Sequence, residues 1–116
     1  MLNTLYLYTL IPYTLYPYTP FFPLISMHKY AHIFYSGKVQ GVGFRYLVLG
    51  IARSLLLTGW VMNLTDGRVE VKLFGSEEII LKFIQETDLQ MRKNITGKVI
   101  NWEESNHVPG TFEIKH

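Results

Sequence analysis

Cysteine is absent from the chain, which excludes a disulfide framework, a thiolate metal site and a cysteine nucleophile. The absence fits a reducing compartment, and a cytoplasmic location is the expectation. Histidine is sparse as well: His28, His32, His107 and His116. Only the first two are close in sequence, and no acidic cluster accompanies them. A metal site usually takes about four ligands, so both read as ordinary surface histidines, and neither metal nor cofactor is expected. Net charge is small, +2. That is too mild to argue on its own for a nucleic-acid or membrane partner.

The first 26 residues lack Lys, Arg, His, Asp and Glu altogether. They are rich in Tyr, Leu, Thr and Pro, and Thr4, Thr9, Thr14 and Thr19 mark a five-residue period. The unit is too short for a solenoid repeat. A signal peptide needs a basic leading region, and none is present. A membrane-spanning helix needs about 20 predominantly apolar residues, but Pro12, Pro17, Pro20 and Pro23 would each remove a backbone donor from it. A membrane-associating segment and a targeting peptide therefore rank behind a disordered or extended tail, or a start assigned too early. Everything recognisable follows Met27. The expected division is a tail over 1–26 and one domain over 27–116, since a chain of 116 residues makes a single domain the default.

Within that domain, Ala31–Ser36 is short, aromatic and β-branched and reads as a strand. Gly37–Gly43 (GKVQGVG) carries three glycines and reads as a loop. Phe44, Leu47, Val48, Ile51 and Leu55 share one face of a helix expected over Phe44–Leu57, with Gly59 as its stop or the start of the next strand. Gly59–Asn63 is a second strand, and Leu64-Thr65-Asp66-Gly67 a turn. Arg68–Phe74 alternates, with Val69, Val71 and Leu73 facing one way and Phe74 the other. Ser76 can cap a second helix with Glu77 and Glu78 in its first turn. Gly97–Glu104 and Thr111–Lys115 are the last strands, around Pro109-Gly110. The order is βαββαβ with a short extra strand: an α+β, ferredoxin-like split βαβ fold, its mostly antiparallel sheet carrying two helices on one face.

In a split βαβ unit the first two strands are parallel, so their C-terminal ends lie at one end of the sheet. The first ends in the glycine loop and the second at Asn63. Glycines let successive N–H groups turn into one concavity. The loop then enters a helix N-terminus, which favours anions, with Arg45 in its first turn to fork onto a phosphoryl group. Asn63 can both accept from and donate to a water. Taken singly, the loop also fits an ordinary strand-to-helix turn with a solvated arginine, and Asn63 also fits an ordinary turn start.

Together these segments resemble the acylphosphatase family. The run Gly37-Lys38-Val39-Gln40-Gly41-Val42-Gly43-Phe44-Arg45 is similar to its phosphate-loop signature. Gly59-Trp60-Val61-Met62-Asn63, followed by Gly67, Val69 and Gly75, is similar to its second signature. Phe112-x-Ile114 fits the last strand, and the likeness runs from Lys29 to His116. Tyr35 departs from the family's usual aliphatic residue, Arg92–Gly97 lacks a frequent Gly-Pro, and the repeat over 1–26 has no counterpart.

The resemblance implies hydrolysis of acyl phosphates to carboxylate and inorganic phosphate, with phosphate also an inhibitor. Arg45 and the amides of Gly37, Lys38, Val39, Gln40, Gly41, Val42 and Gly43 would hold the phosphoryl group, and Asn63 would orient the attacking water. It implies no cofactor, no metal and a monomer. Two other functions compete. An RNA-binding module of the same fold would show patterned aromatics on the central strands, and the third strand offers only Phe74 beside an outward Glu70. An acylphosphatase-like domain serving a larger carbamoyl phosphate enzyme would need a partner chain.

Overall fold

The computed structural model describes residues 28–104 and 108–116. The repeat over 1–26, the Met27 boundary and His107 lie outside the described residues.

Strand β1 spans His28–Gly37, helix α1 Phe44–Ser54, β2 Thr58–Asn63 and β3 Val69–Ser76. Helix α2 spans Glu77–Gln90, followed by β4 Ile95–Glu103 and β5 Phe112–Lys115. The five strands form one sheet in the order β4-β1-β3-β2-β5. β3 lies antiparallel to both β1 and β2, which are therefore parallel to each other, and β5 runs parallel to β2. This is the split βαβ arrangement expected from the element order, with β5 as the short extra strand.

The helices cover one face. Ala31, Ile33, Tyr35, Val61, Val69, Val71 and Leu73 point from the sheet into a core completed by Phe44, Val48 and Ala52 of α1 and by Ile80 and Phe83 of α2. Ser76 caps α2 as expected, its hydroxyl accepting from the Ile79 amide at 3.2 Å.

Several expectations need correction. Helix α1 stops at Ser54, short of Leu57. Leu56 adopts a left-handed conformation, φ 59°. The Leu56 and Leu57 amides then bond back to the carbonyls of Arg53 (3.1 Å) and Ala52 (2.9 Å), a Schellman closure made without the usual glycine. Of the two readings of Gly59, the helix stop fails and the strand start holds to within one residue, since β2 begins at Thr58; a Cβ on Gly59 would fall 1.8 Å from the Lys72 carbonyl oxygen. Phe74 does face away from the helices, yet it is buried, because Tyr30 meets its ring edge-on at 5.3 Å and His28 stacks on it at 5.7 Å.

That outer face is richer in aromatics than β3 alone suggested. Phe34 lies under the Arg68 guanidinium at 4.8 Å, Tyr30 under the Lys72 ammonium at 4.9 Å and Trp60 under the Lys115 ammonium at 4.7 Å. His32 is not an ordinary surface histidine: it is half-buried and hydrogen-bonded to the Glu70 carboxylate.

Candidate active site

Strand pairing brings the two halves of the expected site to one edge. Tyr35 and Asn63 both oppose Val69, one from each side of β3. With neighbouring strands about 4.8 Å apart, Asn63 lies two strand spacings from the residue that leads into the glycine loop.

The loop is held at three points. At its start, the Lys38 amide donates to the Asn94 carbonyl at 2.9 Å, and the Asn94 side-chain amide donates back to the Lys38 carbonyl at 3.0 Å. Gly37 passes so close to this partner that a Cβ would sit 2.2 Å from the Asn94 oxygen. In its middle, Val39 is buried in the core. Beside it, Gln40 reaches across to the β2–β3 turn, where its Nε2 donates to the carbonyls of Leu64 (2.7 Å) and Arg68 (2.9 Å). The side chains of Val39 and Gln40 are thus committed to scaffolding, and what they can offer an anion is their backbone amides. Gly41, Val42 and Gly43 stay exposed, and Gly41 and Gly43 are both left-handed, φ 75° and 80°.

Helix α1 then begins without a side-chain cap and without an acidic residue in its first turn. Its leading N–H groups are left for solvent or an anion. Phe44 is buried and packs edge-on against Tyr35 at 5.1 Å. That contact sets the rotation of the first turn and leaves Arg45 half-exposed on it. Tyr35 is therefore the floor under the loop. Its hydroxyl is buried without a hydrogen-bond partner among the described residues. Burial pushes its ionisation far up, and the nearby Asp88 charge adds to the shift.

Asn63 ends β2 half-buried, and its Oδ1 is enclosed with no hydrogen-bond partner among the described residues. The adjoining turn is braced by Asp66. Its carboxylate accepts from the Arg68 amide at 3.0 Å and from Arg68 Nε at 2.9 Å, contacts that hold the Asp66 carboxyl below its ordinary range, the backbone amide contributing most.

The sequence pattern did not single out Gln40 as a clamp, Asn94 as an anchor or His116 as a neighbour of Arg45. The last pair stands 3.5 Å apart, Arg45 Nη1 to His116 Nδ1. All three relationships join residues at least 24 positions apart, beyond the reach of local pattern. Among the described residues no three His, Cys, Asp or Glu side chains gather as a metal site would require.

The comparisons with known proteins point one way. The acylphosphatase family model matches residues 31–114. An acylphosphatase of Trichormus variabilis is 40% identical over 85 residues, 72% of this chain and 83% of that protein. One of Bacillus velezensis is 41% identical over 92 residues, 73% of this chain and 96% of that one. The crystal structure of an acylphosphatase from Bacillus subtilis superposes with a TM-score of 0.69 at 33% identity, over 78% of this chain and all of that one. HypF from T. kodakarensis is also similar, with a TM-score of 0.64 at 35% identity, but the match takes in only 12% of that chain. With the family model spanning nearly all of the described residues, and with relatives matched over most of their own length, the chain belongs to the acylphosphatase family.

Proposed function

We propose that the chain carries out its family's reaction, hydrolysis of an acyl phosphate to carboxylate and inorganic phosphate, at the edge where the glycine loop meets Asn63. Arg45 and the loop amides hold the phosphoryl oxygens, and Asn63 holds the water in line behind phosphorus. The water oxygen bonds to phosphorus as the phosphorus–acyl oxygen bond breaks. The carboxylate departs with the electron pair, and the water proton leaves on the phosphate or to solvent. A carboxylate is a good leaving group, so positioning and charge stabilisation suffice without a strong acid or base.

The observation that carries this reading is the shared register on Val69, which brings the end of β2 at Asn63 to the same end of the sheet as the glycine loop, two strand spacings away. Asn63 is half-buried, and its side-chain amide can hold a water at that end of the sheet, where an attacking water is needed. Arg45→Gln then weakens both phosphate inhibition and kcat. Asn63→Ala lowers kcat by roughly 10²–10³-fold and leaves the phosphate inhibition constant nearly intact. Wild-type turnover in a folded Asn63→Ala protein would refute the water-positioning role. By the same reading the enzyme works as a cytoplasmic monomer, keeps full activity in excess chelator, is competitively inhibited by phosphate, and needs only residues 27–116.

A further inference from the structure

Strand β5 runs parallel to β2, with Met62 opposite Lys115, so the next step along the pair sets His116 beside Asn63. Helix α1 lies against β5 and holds it through two arginines. At one end Arg53 Nη2 donates to the Phe112 carbonyl at 3.1 Å. At the other, Arg45 Nη1 stands 3.5 Å from His116 Nδ1. The spans match: Arg45 and Arg53 stand eight positions apart, a helical rise of roughly 12 Å, and Phe112 and His116 four positions apart, an extended length of roughly 13 Å. The Arg45–His116 approach therefore follows from how α1 and β5 are tied together.

The chemistry of the contact fixes its direction. A guanidinium has donors and no acceptor, so Nδ1 must be the acceptor, with the ring proton on Nε2. The separation is at the outer limit for a hydrogen bond, and it is the only side-chain hydrogen bond of Arg45 among the described residues. One N–H directed at His116 leaves the other guanidinium donors for phosphoryl oxygens. A long, half-exposed side chain is thereby restrained before substrate arrives, which lowers the entropy lost on binding.

We propose that His116 is a positioning residue that holds the Arg45 guanidinium ready for the phosphoryl group. This rests on the reading of Arg45 as the phosphate-holding residue. His116→Ala leaves the melting curve unchanged, raises the phosphate inhibition constant and lowers kcat/KM for a synthetic acyl phosphate. The size is roughly 3- to 10-fold, that of one net hydrogen bond. His116→Asn, whose Oδ1 falls near the place of Nδ1, recovers most of the loss. In an Arg45→Gln background His116→Ala costs nothing further, because the role acts through Arg45.

Wild-type kinetics in His116→Ala, beside a crippled Arg45→Gln, overturn this inference and leave the site intact. An equal loss in both backgrounds overturns it too, since His116 would then act on substrate independently of Arg45. Wild-type phosphate affinity in Arg45→Gln overturns the site assignment and this inference with it.

Discussion

The side-chain amide of Gln40 donates to the carbonyl of Leu64 at 2.7 Å, fastening the glycine loop to the residue that follows Asn63. The same nitrogen also donates to the Arg68 carbonyl, so one side chain spans the turn and sets the distance between the glycine loop and the end of β2. Gln40→Ala removes both bonds, while the Leu64 and Arg68 carbonyls keep their backbone partners, the amides of Gly67 (3.2 Å) and Leu64 (2.8 Å). The expected loss is about 1–2 kcal/mol, with a rise in the phosphate inhibition constant as the loop loosens. Gln40→Glu should be worse, since a carboxylate presents lone pairs to two carbonyl oxygens. Thermal melts and phosphate inhibition of both variants check this; a glutamate variant as stable as wild type would mean the clamp contributes nothing.

Two glycines of the loop separate a packing requirement from a conformational one. Gly37 has φ +121° and its Cβ position is blocked by the Asn94 oxygen at 2.2 Å and the Thr96 nitrogen at 2.7 Å, all backbone. Gly41 has φ +75° with nothing within 4 Å of its Cβ position. Gly41→Ala therefore meets only the left-handed penalty, about 1–2 kcal/mol. Gly37→Ala must also displace the start of β4, and should lose about 3 kcal/mol or more. Chemical denaturation of the two variants gives the comparison, and equal losses would mean that the β1–β4 contact gives way freely.

The site was legible in the sequence to the extent that its parts are local. The loop glycines and Arg45 fall within nine consecutive residues, and Asn63 closes a short apolar strand. Element order then implied that β1 and β2 would end together, and their shared register on Val69 agrees. What the pattern missed depends on partners distant in sequence. Gln40 looked like one more loop residue, because only the folded chain brings the Leu64 carbonyl to it. Strand β4 starts at Ile95, ahead of the expected Gly97, because Gly37 pairs with Ile95 across a bulge after Ser36. From β3 alone Phe74 reads as outward-facing, because the rings that bury it come from β1.

The end of α1 escapes the sequence pattern for a different reason: its left-handed residue is a leucine. Leu56 holds φ 59° with its side chain 88% exposed, so it accepts the strain and packs against little in return. Leu56→Gly relieves that strain while keeping the bonds from residues 56 and 57. Glycine's greater freedom in the unfolded chain offsets part of the gain. The net should be a stabilisation of about 0.5–1 kcal/mol, read as a rise of a few degrees in Tm with unchanged kcat. A fall in Tm would mean that the exposed leucine makes contacts that outweigh its backbone cost.

Tyr35 offers a test of the floor beneath the loop. Its ring holds Phe44, while its hydroxyl lies buried without a partner among the described residues, near Thr87 and Asp88. Tyr35→Phe keeps the ring and removes the unpaired oxygen, so it should be neutral or stabilising by about 1 kcal/mol near neutral pH. The pH dependence has a definite sign. Burial raises the ionisation of Tyr35 in the folded protein above the ordinary tyrosine value near 10. Once pH passes about 10, the unfolded chain releases the Tyr35 proton and the folded chain retains it, so stability falls as pH rises. The phenylalanine variant lacks this contribution and should lose stability less steeply above pH about 10. Denaturation midpoints of both proteins at neutral and alkaline pH decide the matter. A clear loss in the variant at neutral pH would show that the hydroxyl is satisfied, with a buried water bridging it to Thr87 and Asp88 as the arrangement that fits the three polar groups.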